Sequence, residues 1–211
     1  MALNQPIAGG VLAVLLAAGS AGALPVGAIP EPSQRLAQGT SESENEVESN
    51  EALQQAEDLN QRAIELYQAG RYGEAEPLYR QSLAIWREQL GEDHPSVATS
   101  LNNLAELYRA QGRYSEAEPL HRQALAIWRE QLGENHPHVA TSLSGLALLY
   151  RAQGRYSEAE PRYQQSLAIF QEQLGENHPS VATSLNNLAL LYQDQGRYSE
   201  AEPLHRQALA I

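Results

Sequence analysis

The sequence predicts an all-α solenoid, a stack of antiparallel helix pairs, and three observations carry that prediction. Residues 98–139 are followed by a near copy at 140–181, identical at 32 of 42 positions. A fixed period of this size is the signature of a stacked repeat. Within each copy, apolar residues recur at three-and-four spacing, the pattern of one helix face. The composition is dominated by Ala, Leu, Gln, Glu and Arg, all strong helix formers.

The chain opens on an uncharged run, Ile7 to Ala23, that ends in the small residues Ala21-Gly22-Ala23. This reads as a secretory signal peptide over 1–23, although no Lys or Arg precedes the apolar run. The expected location is then secreted or periplasmic. A membrane anchor reaching about Ile29 is the alternative, weakened by Gly19, Gly22, Pro25 and Gly27; a mis-set start is a third. Residues 24–55 are expected to be a disordered acidic linker, because Pro30 to Asn50 is rich in Ser and Glu and has nothing to bury.

Charge and cysteine content exclude several classes of function. The formal net charge is −12, every basic residue is Arg, and no basic run exists. Nucleic acid is therefore not an expected partner. With no cysteine there is neither a disulfide framework nor a thiolate metal site.

The repeat array is expected over 56–211, in units of about 56–97, 98–139, 140–181 and an incomplete 182–211. In the second unit Pro95 suits the first turn of a helix. Val97, Leu101, Leu104, Ala105, Leu107 and Tyr108 form its apolar face, and Gly112 stops it. Ser115 and Glu118 spell a capping box for the second helix, repeated as Ser157/Glu160 and Ser199/Glu202; Gly73 replaces the serine in the first unit. Pro119 falls within or just after the first turn. The buried stripe is expected to be Ala117, Leu120 or His121, Ala124, Leu125, Trp128 and Leu132, ended by Gly133. Neither helix buries its apolar face alone, so neighbouring pairs must stack.

Ala105, Tyr108, Gly112, Tyr114 and Ala117 spell A-x-x-Y-x-x-x-G-x-Y-x-x-A and, with Ala124, this resembles the tetratricopeptide repeat. The long unit with LGxxHPxVAxxLNNLA resembles the kinesin-light-chain type of that repeat. The first unit diverges, with Leu66 in place of Tyr108 and Arg62 in place of Leu104. The resemblance implies a right-handed superhelix that acts as a non-catalytic scaffold, without cofactor or small-molecule substrate. It also implies that a protein or peptide partner lies in a concave groove lined by the first helices. Carried onto this sequence, the groove positions are Asn60, Ile64 and Tyr67 in the first unit and Asn102, Glu106 and Arg109 in the second. The third offers Ser144, Leu148 and Arg151, and the fourth Asn186, Leu190 and Gln193. Asparagine offers both donor and acceptor to a peptide backbone, and Arg109 and Arg151 are placed to pair with a carboxylate.

Other candidates have bland readings. No HExxH, phosphate-binding loop, GxSxG elbow or dinucleotide fingerprint is present. His94, His136 and His178 each precede a proline and are read as fixing the loop and the helix entry. His136 and His138 lack a carboxylate partner motif, so no metal site is expected. His121 and His205 stand where Tyr79 and Tyr163 stand in the other copies, which suggests a half-buried packing site. Trp86, Trp128 and Phe170 are read as core anchors. The fourth unit stops at Ile211, one residue short of that anchor. The expectation is a fragment of a longer array, with self-association through the exposed last helix as one consequence. An alternative function follows: the array as the sensor half of a larger protein whose catalytic domain lies beyond Ile211.

Overall fold

The computed structural model describes residues 32–211, with side chains from residue 46 onward. The signal-peptide and anchor readings fall on residues outside that range. Among the described residues no helix is long and apolar enough to cross a membrane. Those residues form eight helices and no strand: α1 (Pro32–Gln68), α2 (Tyr72–Leu90), α3 (Pro95–Ala110), α4 (Tyr114–Leu132), α5 (Pro137–Ala152), α6 (Tyr156–Leu174), α7 (Pro179–Asp194) and α8 (Tyr198–Leu209). The stacked body comprises Glu42–Ile211.

Helix α1 runs through most of the stretch that composition marks as a linker to residue 55. Glu, Gln, Ala, Leu and Arg keep high helix propensity even where no apolar face exists. Glu46, Val47 and Glu48 are exposed accordingly, and full burial begins only at Ala56.

The hairpins follow from local chemistry. Each of α3, α5 and α7 begins with a proline at its first position, where the missing N–H is not needed. The preceding histidine is the N-cap: Nδ1 of His94, His136 and His178 accepts a hydrogen bond from the backbone N–H two residues on, at 3.1, 3.2 and 3.1 Å. The His-Pro pairs are thus helix starts, as expected. At the other end Gly112 adopts φ +74°, which lets Arg113 N–H donate to the Tyr108 carbonyl at 2.8 Å and close the helix.

The second helices start differently from the sequence expectation. Their N-caps are Arg71, Arg113, Arg155 and Arg197, none with a side-chain cap bond. Ser115 and its equivalents are therefore inside the helix, no capping box forms, and Gly73 loses no cap. The glutamates three residues on are used across the stack instead. Pro119 lies inside α4, where it has no N–H to donate to the Ser115 carbonyl; Ser115 is an exposed residue.

Packing follows a simple rule: the second helix of each hairpin lies against the first helix of the next. Adjacent first helices also touch, α3 with α5 and α5 with α7, whereas α4 and α6 do not approach each other. The first helices therefore line the concave side. Alanines occupy the crossing inside each hairpin, with Ala105 and Ala117, like Ala147 and Ala159, fully buried. The expected face of α3 is buried throughout. On α4 the stripe needs two corrections: Ile127 is buried, and Leu132, the last residue of the helix, is 39% exposed.

A polar bracket repeats at every described joint. Glu76, Glu118 and Glu160 accept from Nη1 of Arg113, Arg155 and Arg197 in the following unit, at 2.6, 2.8 and 2.8 Å. The tyrosine hydroxyls of Tyr108, Tyr150 and Tyr192 donate to the same carboxylates. Each arginine also lies over that tyrosine ring, 4.1, 4.1 and 4.0 Å from its centroid. Burial pushes the Glu118 carboxyl up, but hydrogen bonds from Arg155 and Tyr150 outweigh it and hold the group below its ordinary value.

The His94 cap requires a lone pair on Nδ1, and burial holds this imidazole below its ordinary value of about 6.5. Below that pH the unfolded chain binds more protons than the native one, so the stabilisation is present above pH 6.5 and falls as pH drops toward the folded value. His94→Asn keeps a capping acceptor that does not titrate. Its melting temperature is expected to fall less than that of the wild type as pH is lowered below about 6.5. Parallel profiles would show that the cap does not contribute to the pH dependence.

Candidate functional site

The concave face carries one cleft of about 390 Å³ that joins three first helices. Glu106 comes from α3, Ser144, Gly145 and Leu148 from α5, and Thr183 and Asn187 from α7; Phe170 reaches it from α6. Leu148, Phe170 and Pro179 supply apolar surface, and hydroxyl and amide groups stand around it. This mixture, mostly apolar with a few polar groups, is what an organic or peptide side chain needs.

Two side chains here are smaller than at the preceding joint, and of these only Phe170 departs from the other copies, since Ser180 matches Ser96. At the preceding joint, Trp128 stacks on His138 with ring centroids 4.4 Å apart. Here the pair is Phe170 and Ser180, and both are smaller. Seven lining residues belong to the third unit: Thr141, Ser144, Gly145, Leu148, Phe170, Pro179 and Ser180. Five of these are among the ten positions at which that unit differs from the second. Variation in an otherwise copied sequence is thus concentrated in the cleft.

The groove positions expected from sequence divide into two sets. Glu106, Ser144 and Leu148 line the cleft. Asn102, Arg109, Arg151, Asn186, Leu190 and Gln193 do not. Several of the polar groups are occupied within the chain. Asn102 donates to Ser142 Oγ at 2.8 Å, and its Oδ1 lies 3.0 Å from His121 Nδ1. Arg109 holds Glu106 Oε2 through Nε and Nη2, at 2.9 and 2.7 Å. Arg151 Nε donates to Asp194 Oδ2 at 2.6 Å. Both guanidinium groups thus have a carboxylate of their own, and neither is a spare cation. Ser144 is bonded to Ser166 Oγ at 2.8 Å, and Asn60 accepts from Asn103 at 3.1 Å. Ile64, Tyr67 and Leu190 are half-buried, and Asn186 and Gln193 are exposed.

His121 is more deeply placed than the exchange with tyrosine suggests, at 1% exposure, whereas His205 is half-buried. Asn102 Oδ1 only accepts, so His121 donates to it from Nδ1, and Nε2 lies 3.5 Å from Glu106 Oε1. Burial pushes the Glu106 carboxyl up, but His121 and Arg109 outweigh it and hold the group below its ordinary value. Gly145 makes room for the ring: a Cβ there would lie 2.6 Å from His121 Cε1. The other copies carry Asn103 and Asn187 at this position and tyrosine at 79 and 163, so the two exchanges go together. Among the described residues no cluster of side chains fit to hold a metal occurs.

Phe170, Gly145, Thr183 and Asn187 are cleft residues that the sequence reading did not place there. The available signal was the loss of ring size at 170 and 180 relative to 128 and 138.

A family model described as tetratricopeptide repeat matches residues 59–127, 98–172 and 153–211. Among solved structures, the chain is similar to a kinesin light chain-like protein of Podosopora anserina with nearly identical TPR-like repeats. That match has 35% identity over 73% of each chain and a TM-score of 0.65. It is also similar to BtubC (BKLC) from P. vanneervenii, with 28% identity over 78% of this chain and 71% of the other, at a TM-score of 0.64. Aspartyl phosphate phosphatase F from Bacillus subtilis covers 75% of this chain and 40% of its own at 18% identity and a TM-score of 0.65; it shares the fold. A search of curated proteins finds no match. These likenesses support a protein-interaction scaffold.

The cleft geometry generates a coupling. Gly145→Ala adds helix propensity worth about 1 kcal/mol, but the methyl must displace a ring held by Asn102. We expect a net loss of about 1–2 kcal/mol in the wild type, and a gain in the His121→Ala background. A double-mutant cycle by urea unfolding measures this; additive effects would mean that the ring and the glycine are not coupled.

Proposed function

The chain belongs to the tetratricopeptide repeat family, and on that premise we propose that it is a non-catalytic scaffold that grips an extended partner segment on its concave face. One observation carries this reading: the departures of the third repeat from the second collect around the cleft at Leu148 and Phe170. An apolar side chain of the partner enters there, and Thr183 and Asn187 are placed to bond its backbone. Recognition is by an apolar anchor rather than by acidity, because Arg109 and Arg151 are already engaged by Glu106 and Asp194. With the signal reading of 1–23, the partner is met outside the cytoplasm.

The test uses peptides selected from a random display library against the 211-residue chain. The enriched sequences are expected to share an apolar residue. Leu148→Arg should weaken their binding at least about tenfold, or 1.4 kcal/mol, in calorimetric titration, with helix content unchanged by circular dichroism. Arg151→Ala should change it little. Loss of binding in Arg151→Ala with Leu148→Arg spared would overturn the apolar-anchor reading.

A further inference from the structure

Consecutive second helices stand apart: α4 and α6 both pack on α5 but not on each other. The furrow between them, on the side away from the groove, holds a cleft of about 350 Å³. Leu125 of α4 and Leu146 of α5, both buried, give it an apolar floor. Arg122 and Arg129 of α4, Tyr150 of α5 and Arg162 of α6 stand around that floor. Three guanidinium groups thus share one hollow, in a chain of net charge −12.

The neighbouring furrows are not built this way. One repeat back, the three arginines become Arg80, Arg87 and Leu120; one repeat forward, they become Gln164, Gln171 and Leu204. Arg162, Gln164 and Gln171 are all among the ten positions at which the third unit departs from the second. The same departures therefore add an arginine to this furrow and remove two from the next. Nor are the charges here cancelled. Among the described residues Arg162 pairs with no carboxylate: its Nη1 donates to the Glu158 carbonyl at 2.7 Å, and the group lies 4.8 Å from the Tyr150 ring centroid. The Glu158 carboxylate is held by Arg155. Arg122 meets Glu118 through Nη2, but that carboxylate also serves Arg155 across the joint. Arg129 approaches Glu134 through Nε, which leaves both of its terminal nitrogens.

We propose that this outer furrow is a second binding site, which takes an extended acidic segment of a protein partner through its Asp or Glu side chains. Spacing argues for a segment rather than a single anion. Arg122 and Arg129 are seven residues apart on one helix, about 10 Å along its axis. Acids three residues apart in an extended chain span about 10 Å as well, whereas one carboxylate or phosphate group cannot meet both arginines. Each guanidinium offers a planar fork that matches a carboxylate, and the apolar floor carries the stems of the acidic side chains. The furrow lies on the second-helix side, apart from the cleft at Leu148, so the site does not rest on the reading of that cleft.

The probe is a fluorescein-labelled Gly-Ser peptide with two glutamates three residues apart, titrated with the full chain and read by anisotropy. Its companions carry two glutamines, or a single glutamate, and none has an apolar side chain for the concave cleft. At about 10 mM salt, where charges act over about 30 Å, the two-glutamate peptide should bind and the glutamine peptide should not. Arg162→Leu and Arg129→Gln should each weaken binding about threefold to fivefold. Both introduce residues that other units carry at the same positions, so circular dichroism should be unchanged. Arg206→Gln removes an exposed arginine outside the furrow and should leave the affinity as it was. No binding of the two-glutamate peptide by the wild type would overturn the proposal, as would unchanged binding in Arg162→Leu. An equal loss in Arg206→Gln would show attraction by the general field and overturn the site. A single-glutamate peptide that binds as tightly as the double one would overturn the extended segment.

Discussion

A second helix in this chain is buried only by the hairpin that follows it, and that dependence governs the rest of the structure. Helix α4, with α5 against it, buries Ala117, His121, Ala124, Leu125, Ile127 and Trp128. Helix α8 has the same letters over its length and, with no hairpin after it among the described residues, buries only Ala201. Ala201 is the residue that faces its own partner helix α7. Over the length the two helices share, His121, Ala124 and Leu125 are buried by the neighbour while His205, Ala208 and Leu209 are not. Stability in such a stack is a sum of unit and joint terms, and the apolar share of the joint term is the larger one.

The polar bracket across each joint has a different role. Its ion pairs are partly exposed, and individual pairs of that kind contribute little. What they supply is register. Glu118 accepts from Arg155, Tyr150 and Arg122 at once, and only one placement of α5 and α6 brings those groups together. Apolar contact between Ala- and Leu-rich helices is tolerant of sliding, and the bracket removes that freedom. It also consumes charge. Most arginines of the array have a carboxylate of their own, which leaves few spare cations on the described surface.

The fold was legible because the repeat states it several times over. The His-Pro start was legible for the same reason, since three copies of one local pattern leave little room for another reading. The capping boxes misled because Ser-x-x-Glu is a local pattern, and Glu118 has better partners 32 and 37 residues away. The glycine turn delivers Arg113 straight into the helix, so Ser115 arrives two positions late to cap it. The groove was legible as a face but not as a site. Spacing along α3 and α5 gave Glu106, Ser144 and Leu148, whereas Phe170 and Ser180 lie on other helices and meet them only in three dimensions. Arg109 and Arg151 looked free because their partners, Glu106 and Asp194, are ordinary acids on the same inner face.

In a chain of near copies, most identities follow from the need to stack, and residues that depart from the copy are where another requirement has acted. The departures here are not scattered. His121, Gly145 and Glu106 form one compensated set, in which the imidazole takes the place of a tyrosine, occupies the space of an asparagine side chain and lies beside a carboxylate where other units have Leu148 or Leu190. Phe170 is another: it is smaller than Trp86 and Trp128 and faces Ser180, a serine shared with Ser96, where the preceding joint stacks Trp128 on His138. The first set belongs to the joint between the second and third units, and the second set to the joint after it. Glu106 and Gly145 of the first and both residues of the second line the same cleft. Changes made for packing alone would have no reason to converge on one solvent-facing hollow from two joints. On the proposed reading, a hollow that takes a side chain from a partner draws on both joints.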